Sequence, residues 1–255
     1  MLLHDWPVPD NVAIAMTDRH GGVSLAPYDS LNLGLHVGDA PHQVLANRGI
    51  LAIQLGLATE PVWLEQVHGT QVIDLADIAP INLAQEVQDT PPLVADASYT
   101  DLAGRVCVVM TADCLPVLLC NQQGTEVAAA HAGWRGLCDG VIEASVAKFA
   151  SKPSELIAYL GPAIGPKTFE VGAEVRAAFM AADPNAANCF VAQCQATKPD
   201  KYLADIIGLA KLRLKQLGIT QVYSADICTV SSSDYFSYRR DKVTGRMASL
   251  IWLKS

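Results

Sequence analysis

Apolar residues recur at helical spacing in several stretches of the chain. Between Asp39 and Leu55, Val44, Leu51 and Leu55 share one face, which predicts a helix ending near Leu55. Asp39 reads as its N-cap and Pro41 as a first-turn residue. Asn47 and Arg48 fall on that same face, an unusual place for an amide and a charge. Further helices are expected from about Leu137 to Ala150 and from Ala173 to Met180. The clearest covers Tyr202 to Leu217, where Leu203, Ile206, Ile207, Ala210, Leu214 and Leu217 keep helical intervals.

Between these lie shorter apolar runs that read as strands. They are Val62–Gln66 and Gln71–Leu75 around a His68-Gly69 turn, then Val94–Tyr99, Val106–Met110, Leu115–Cys120 and Glu126–His131. Leu156–Leu160, Val222–Ser224 and Met247–Leu253 complete the set. Strands and helices interleave without regular β-α-β alternation. That favours an α+β fold with helices outside the sheet over a doubly wound parallel one. The acidic stretch Ala76–Pro92 reads as a surface loop, with no linker or domain boundary.

Composition narrows the class. The chain has 255 residues, 51% hydrophobic and 17% charged, so it can bury a large core. A net charge of -8 with scattered basic residues argues against nucleic acid and anionic membrane surfaces as partners. No apolar run reaches membrane-spanning length, and Met1–Pro7 lacks the features of a secretion signal. The seven cysteines form no disulfide framework. Reduced thiols in a cytoplasm are the expectation.

Reactive side chains cluster where strands end. His68 precedes Gly69, Cys114 follows Thr111-Ala112-Asp113, and His131 opens a glycine-rich turn. A hairpin would bring Cys114 and His131 to one sheet edge, and His68 could join them through strand pairing. Two imidazoles and a thiolate suit a catalytic zinc with an open position. They equally suit a thiol nucleophile with a histidine base, and spacing alone also allows three unconnected residues. Asp96 and Asp113 could orient a ligand or carry a proton. Arg48, Arg135, Arg239, Arg240 and Arg246 could hold phosphate or simply make salt bridges. Trp134 could stack a substrate ring or fill the core.

Several ordered motifs resemble the YfiH family, also described as laccase-domain or multicopper polyphenol oxidase proteins and as purine nucleoside phosphorylases. They are Arg19-His20-Gly21-Gly22-Val23-Ser24, Leu31-Asn32-Leu33-Gly34, Gln66-Val67-His68-Gly69 and Ala95-Asp96-Ala97. Thr111-Ala112-Asp113-Cys114, His131-Ala132-Gly133-Trp134-Arg135-Gly136, Ile164-Gly165-Pro166 and Phe236-Ser237-Tyr238-Arg239-Arg240-Asp241 follow. The resemblance implies one enzyme domain over 1–255, with mixed sheets in an α/β/β/α sandwich related to toxin-type cysteine deamidases. It implies a zinc ion on His68, Cys114 and His131; on that reading Cys114, His131, Asp113 and Arg48 are the candidate catalytic residues. Arg48, Arg135, Arg240 and Trp134 are then the expected substrate and phosphate contacts. The implied activity is phosphorolysis of adenosine, inosine and methylthioadenosine, with adenosine deamination beside it. Six scattered histidines cannot build a multicopper centre, though two His and a Cys could take one copper. A cysteine hydrolase using Cys114 and His131, acting for example on cell-wall precursors, and a copper-dependent polyphenol oxidase are the alternatives.

Overall fold

A computed structural model describes residues 1–2, 5–80, 93–193 and 200–255. The first half contains β1 (Val12–Met16), α1 (Pro41–Leu55), β2 (Leu64–Glu65), β3 (Val72–Asp74), β4 (Leu93–Val94) and β5 (Ala97–Thr100). Then come β6 (Val106–Thr111), β7 (Leu115–Asn121), β8 (Val127–Ala132), α2 (Trp134–Asp139), α3 (Val141–Val146) and β9 (Leu156–Leu160). The remainder is β10 (Glu170–Gly172), α4 (Ala173–Ala182), β11 (Phe190–Ala192), β12 (Lys201–Ala204), α5 (Ile206–Leu217), β13 (Gln221–Ser224), α6 (Tyr238–Asp241) and β14 (Met247–Leu253).

Two sheets organise the chain. The larger runs β13-β9-β7-β8-β5-β3 and mixes parallel with antiparallel pairs; a smaller antiparallel sheet runs β1-β14-β6. The period of two sorts side chains between layers. Leu118, Cys120, Val127, Ala129, Ile157 and Tyr159 face Cys107, Val109 and Ile251 between the sheets. The alternate residues Val117, Leu119, Ala128, Ala130, Ala158 and Leu160 pack under α3 and α5. On the small sheet, Val106, Val108, Ala248 and Leu250 meet Leu51 and Ala52 of α1. The layer order is therefore helix, sheet, sheet, helix. Because β7, β8 and β9 are buried on both faces, they read as continuous apolar runs in the sequence.

Local chemistry moved several element boundaries. The helix expected from Leu137 starts earlier, at Trp134, and breaks at Gly140, whose φ of 102° no helix accommodates, giving α2 and α3. The helix expected from Tyr202 starts at Ile206, because the Asp205 carboxylate caps it at Gly208 N (2.9 Å). Residues 201–204 instead form β12 between β10 and β11. The helix expected to end at Met180 continues to Ala182. Asp39 is not the N-cap of α1; that position is Ala40. Its carboxylate instead accepts from the Ser24 hydroxyl (2.6 Å) and Asn32 (2.9 Å). β1, a strand the apolar pattern did not announce, pairs along its whole length with β14. Of the acidic 76–92 stretch, residues 81–92 lie outside the described residues.

Candidate metal centre

Strand register assembles the centre. In the β7–β8 hairpin Leu115 pairs with Ala132 and Pro116 with His131, so Cys114 and Gly133 meet at the sheet edge. β5 lies beside β8, with Ala97 opposite Ala130, and His131 N donates to Asp96 O at 2.7 Å. β3 pairs with β5, which brings the 68–71 turn against Asp96. The three ligand atoms of His68, Cys114 and His131 thereby fall within 4.8 Å of one another. Cys114 Sγ lies 3.7 Å from His68 Nε2.

Asp96 holds the arrangement. Its buried carboxylate accepts from the backbone N–H groups of Val67 (3.1 Å), His68 (2.9 Å) and Gly69 (2.6 Å), and from His131 Nδ1 (2.8 Å). With Nδ1 directed at that carboxylate, Nε2 is the ring atom of His131 left for the cluster. Burial opposes the Asp96 charge, but the bonds from His131, Gly69 and Val67 hold its carboxyl below the usual range. Gly133 leaves the required space: a Cβ there would lie 2.5 Å from His68 Cδ2 and 3.2 Å from Cys114 Sγ.

The donor set fits one zinc-like ion. Tetrahedral zinc at roughly 2.0–2.3 Å from N and S ligands places those ligands about 3.3–3.8 Å apart, a range that includes the 3.7 Å between Cys114 Sγ and His68 Nε2. Three protein ligands leave one coordination position for water or substrate. Among the described residues no other cluster offers three or more such donors. Without metal, burial works against ionisation of Cys114, but the charge of His131 and hydrogen bonds from both histidines lower its pKa. Burial opposes the His131 charge too, yet Cys114 and Asp96 raise its pKa. The thiolate form that binds metals best is thus favoured in advance.

Beside Cys114 opens a cavity of about 210 Å³, lined by Ala112, Asp113, Trp134, Ile164, Phe169, Ile206, Tyr238 and Arg239. It offers an apolar wall with aromatic rings and one cation. Phe169 and Ile206 come from segments that carry no chemical motif, and no feature of the sequence marks them as cavity residues.

The other singled-out residues take varied places. Asp113, at φ 99°, accepts from the Thr229 hydroxyl (2.6 Å) and Arg239 N (2.6 Å), so both oxygens anchor the loop that presents Cys114. Arg48 is buried; its Nε and Nη2 donate to Leu33 O, and its guanidinium lies 3.9 Å from the Trp63 ring centre. Arg240 donates to the carbonyls of Thr229, Val230, Ser232 and Tyr235 and pairs with Asp241. Arg239 donates through Nη1 to Thr168 O and Glu170 O. Arg135 is exposed and lies on the ring of Trp134 at 4.4 Å. Arg246 donates through Nη1 to Thr244 O and Gly245 O.

An α+β domain with one His-Cys-His cluster defines the class, and the chain belongs to the family described as multi-copper polyphenol oxidoreductase laccase, whose model matches residues 13–254. Within it the chain falls among the YfiH proteins. It is 53% identical to the Escherichia coli protein named purine nucleoside phosphorylase YfiH, over 99% of this chain and 98% of that one. The Shigella flexneri protein of the same name is 54% identical over the same shares. Among solved structures, Neisseria meningitidis NMB0706 superposes with a TM-score of 0.88, at 48% identity and 98% coverage of both chains. The family description speaks of several coppers, whereas the donors among the described residues form a single three-residue cluster. No helix among the described residues is long and apolar enough to cross a membrane.

Proposed function

We propose that the chain is a zinc-dependent purine nucleoside phosphorylase. Its substrates are adenosine, inosine and methylthioadenosine, and adenosine deamination is a second activity of the same centre. The observation that carries this reading is the three-donor cluster opening onto an aromatic-lined apolar cavity, in a chain similar from end to end to proteins named purine nucleoside phosphorylase. A purine is a flat, largely apolar ring with polar edges, and Trp134, Phe169 and Tyr238 supply faces on which it can lie. Arg239 stands at the same cavity as a donor for a ring oxygen or nitrogen.

In phosphorolysis a phosphate oxygen bonds to the anomeric carbon while the glycosidic C–N bond breaks. The bond's electron pair leaves with the base, which takes up the proton that phosphate gives up; the sugar remains as its 1-phosphate, ribose from adenosine and inosine and 5-methylthioribose from methylthioadenosine. When bound, zinc supplies a Lewis acid and lowers the pKa of a coordinated water toward 7, as deamination requires. The protein's part is positional. Asp96 fixes the tautomer of His131, Asp113 anchors the Cys114 loop, and the cavity orients the base and excludes water.

Product analysis tests the reading. Purified protein should carry about one zinc per chain. It should release adenine from adenosine and hypoxanthine from inosine only with phosphate, and Cys114→Ser should abolish both the metal and the release. Base release that ignores phosphate would end the phosphorylase assignment. Full activity in metal-stripped protein would end the zinc assignment in favour of a free Cys114 thiol.

A further inference from the structure

Phosphorolysis needs a cationic seat for phosphate near the metal centre, and most of the arginines the sequence singles out are committed elsewhere. Arg48 and Arg240 spend their forks on backbone carbonyls or on Asp241, and Arg239 anchors one nitrogen on two carbonyls at the wall of the apolar cavity. Arg135 is exposed beside its own neighbour Trp134. Arg246, like Arg239, has only Nη1 engaged, by Thr244 O and Gly245 O, but it stands outside the apolar cavity, and no described group bonds its Nε or Nη2. The side chain is half-buried and within electrostatic reach of Cys114 and Asp113.

A second basic group stands beside it. A Cβ on Gly34 would lie 2.8 Å from Arg246 Cγ and 3.5 Å from His36 Cε1, so both side chains close over the same point of backbone. The contact is built, since it joins residues more than two hundred positions apart. Asn32 Oδ1, fully buried, accepts from Gly34 N (3.0 Å) and Arg246 N (2.9 Å) and locks the two segments in register. Arg48 holds the floor from below through Leu33 O. Surrounding protein, then the charges of Arg246 and Arg48, push the His36 imidazole below its ordinary pKa, against the pull of Glu65. An anion placed there relieves that positive field. The buried Thr244 hydroxyl next to Arg246 also lacks a partner. Neither Arg246 nor His36 lines the apolar cavity, which leaves that cavity to the base.

We propose that Arg246 and His36, packed over the Gly34 backbone, form the seat of the inorganic phosphate consumed by this enzyme, an assignment that rests on the phosphorylase reading. Arg246 offers the planar two-donor fork that matches two phosphate oxygens, and His36 offers a single ring donor. Arg48 is then a positioning residue, acting through Leu33.

The test uses the metal-loaded protein with inosine and varied inorganic phosphate. Arg246→Gln should raise the KM for phosphate about tenfold or more and leave the KM for inosine nearly unchanged. Arg246→Lys should recover part of the loss, and His36→Asn should raise phosphate KM several-fold. Zinc content and melting temperature verify that each variant is folded; if Arg246→Gln does not hold metal, His36→Asn and Arg246→Lys carry the comparison. Metal-loaded variants with wild-type phosphate KM would overturn the seat. Thermal protection by inorganic phosphate, without nucleoside, separates the two readings. If the wild type releases no base but phosphate raises its melting temperature and does not raise that of Arg246→Gln, the phosphorylase reading falls and the anion seat stands. If phosphate protects both proteins equally, or neither, the seat falls.

Discussion

Asp96 shows how much one side chain can organise. Its two oxygens take three successive N–H groups and an imidazole, which bends the chain so that His68 adopts φ 62°. Left-handed backbone at a non-glycine residue costs about 1–3 kcal/mol and persists only where its surroundings compel it. Asp96→Asn keeps the shape but turns an NH2 group toward donors that need an acceptor. The metal should then bind about 10–100-fold more weakly, measured by competition with a chromogenic chelator. Unchanged affinity would show that the backbone alone sets the His68 geometry. Sequence reasoning could name His68, Cys114 and His131, because reactive side chains beside turns are visible as such. It left Asp96 undecided between orienting a ligand and carrying a proton. A carboxylate's partners are backbone groups that any residue could offer.

At the scale of elements, polar residues on apolar faces turned out to be joints. Asn47, on the buried face of α1, donates to Ser24 Oγ, Ser30 O and Asn32 O and accepts from Val23 N. It fastens the 22–32 segment to the helix and so supports the stretch that carries Gly34 and His36. Glu126 plays the same part at the far end of the β7–β8 hairpin. It accepts from Tyr99 OH (2.8 Å), Asn121 Nδ2 (3.1 Å), Ala150 N (2.6 Å) and Ser151 (2.5 Å from its hydroxyl). Burial opposes its charge, but the bonds from Ser151, Ala150 and Tyr99 keep its pKa below the ordinary glutamate value of 4.5. The ionised form is therefore preferred by the folded state. Its contribution is complete above the unfolded pKa and is lost as pH falls through the lower folded one. Glu126→Gln should cost about 1–3 kcal/mol at neutral pH, from donors left without a charged acceptor. The variant should also show a shallower loss of stability below pH 4.5 in urea titrations. Parallel acid profiles in the two proteins would assign the acid sensitivity to other carboxylates.

For the molecule as a whole, the four layers decide what each cysteine can do. Cys107 and Cys120 lie between the sheets, where burial pushes their thiols up to about 12 and about 11. Cys228 is partly exposed; burial raises its pKa, but hydrogen bonds from Ser231, Thr168 and Gly165 N more than offset this and lower it to about 7. Iodoacetamide followed by mass spectrometry should label Cys228 in the native protein within minutes, and Cys107 and Cys120 only after unfolding. Cys114 should be protected by bound metal and become reactive once a chelator removes it. Early labelling of Cys107 would mean that the sheets separate readily in the native state. The sequence by itself determined that the chain folds as an α+β protein and which runs become the central strands, and it named His68, Cys114 and His131 as candidates that the fold then brings together. Periodicity and residue type are local properties, and both are written along the chain. Only the tertiary structure decided which arginines spend their forks on carbonyls, that Gly34 lies against both His36 and Arg246, and where α2 and α5 begin. Those outcomes depend on competition for backbone carbonyls and on strand register, and neither exists until distant segments meet.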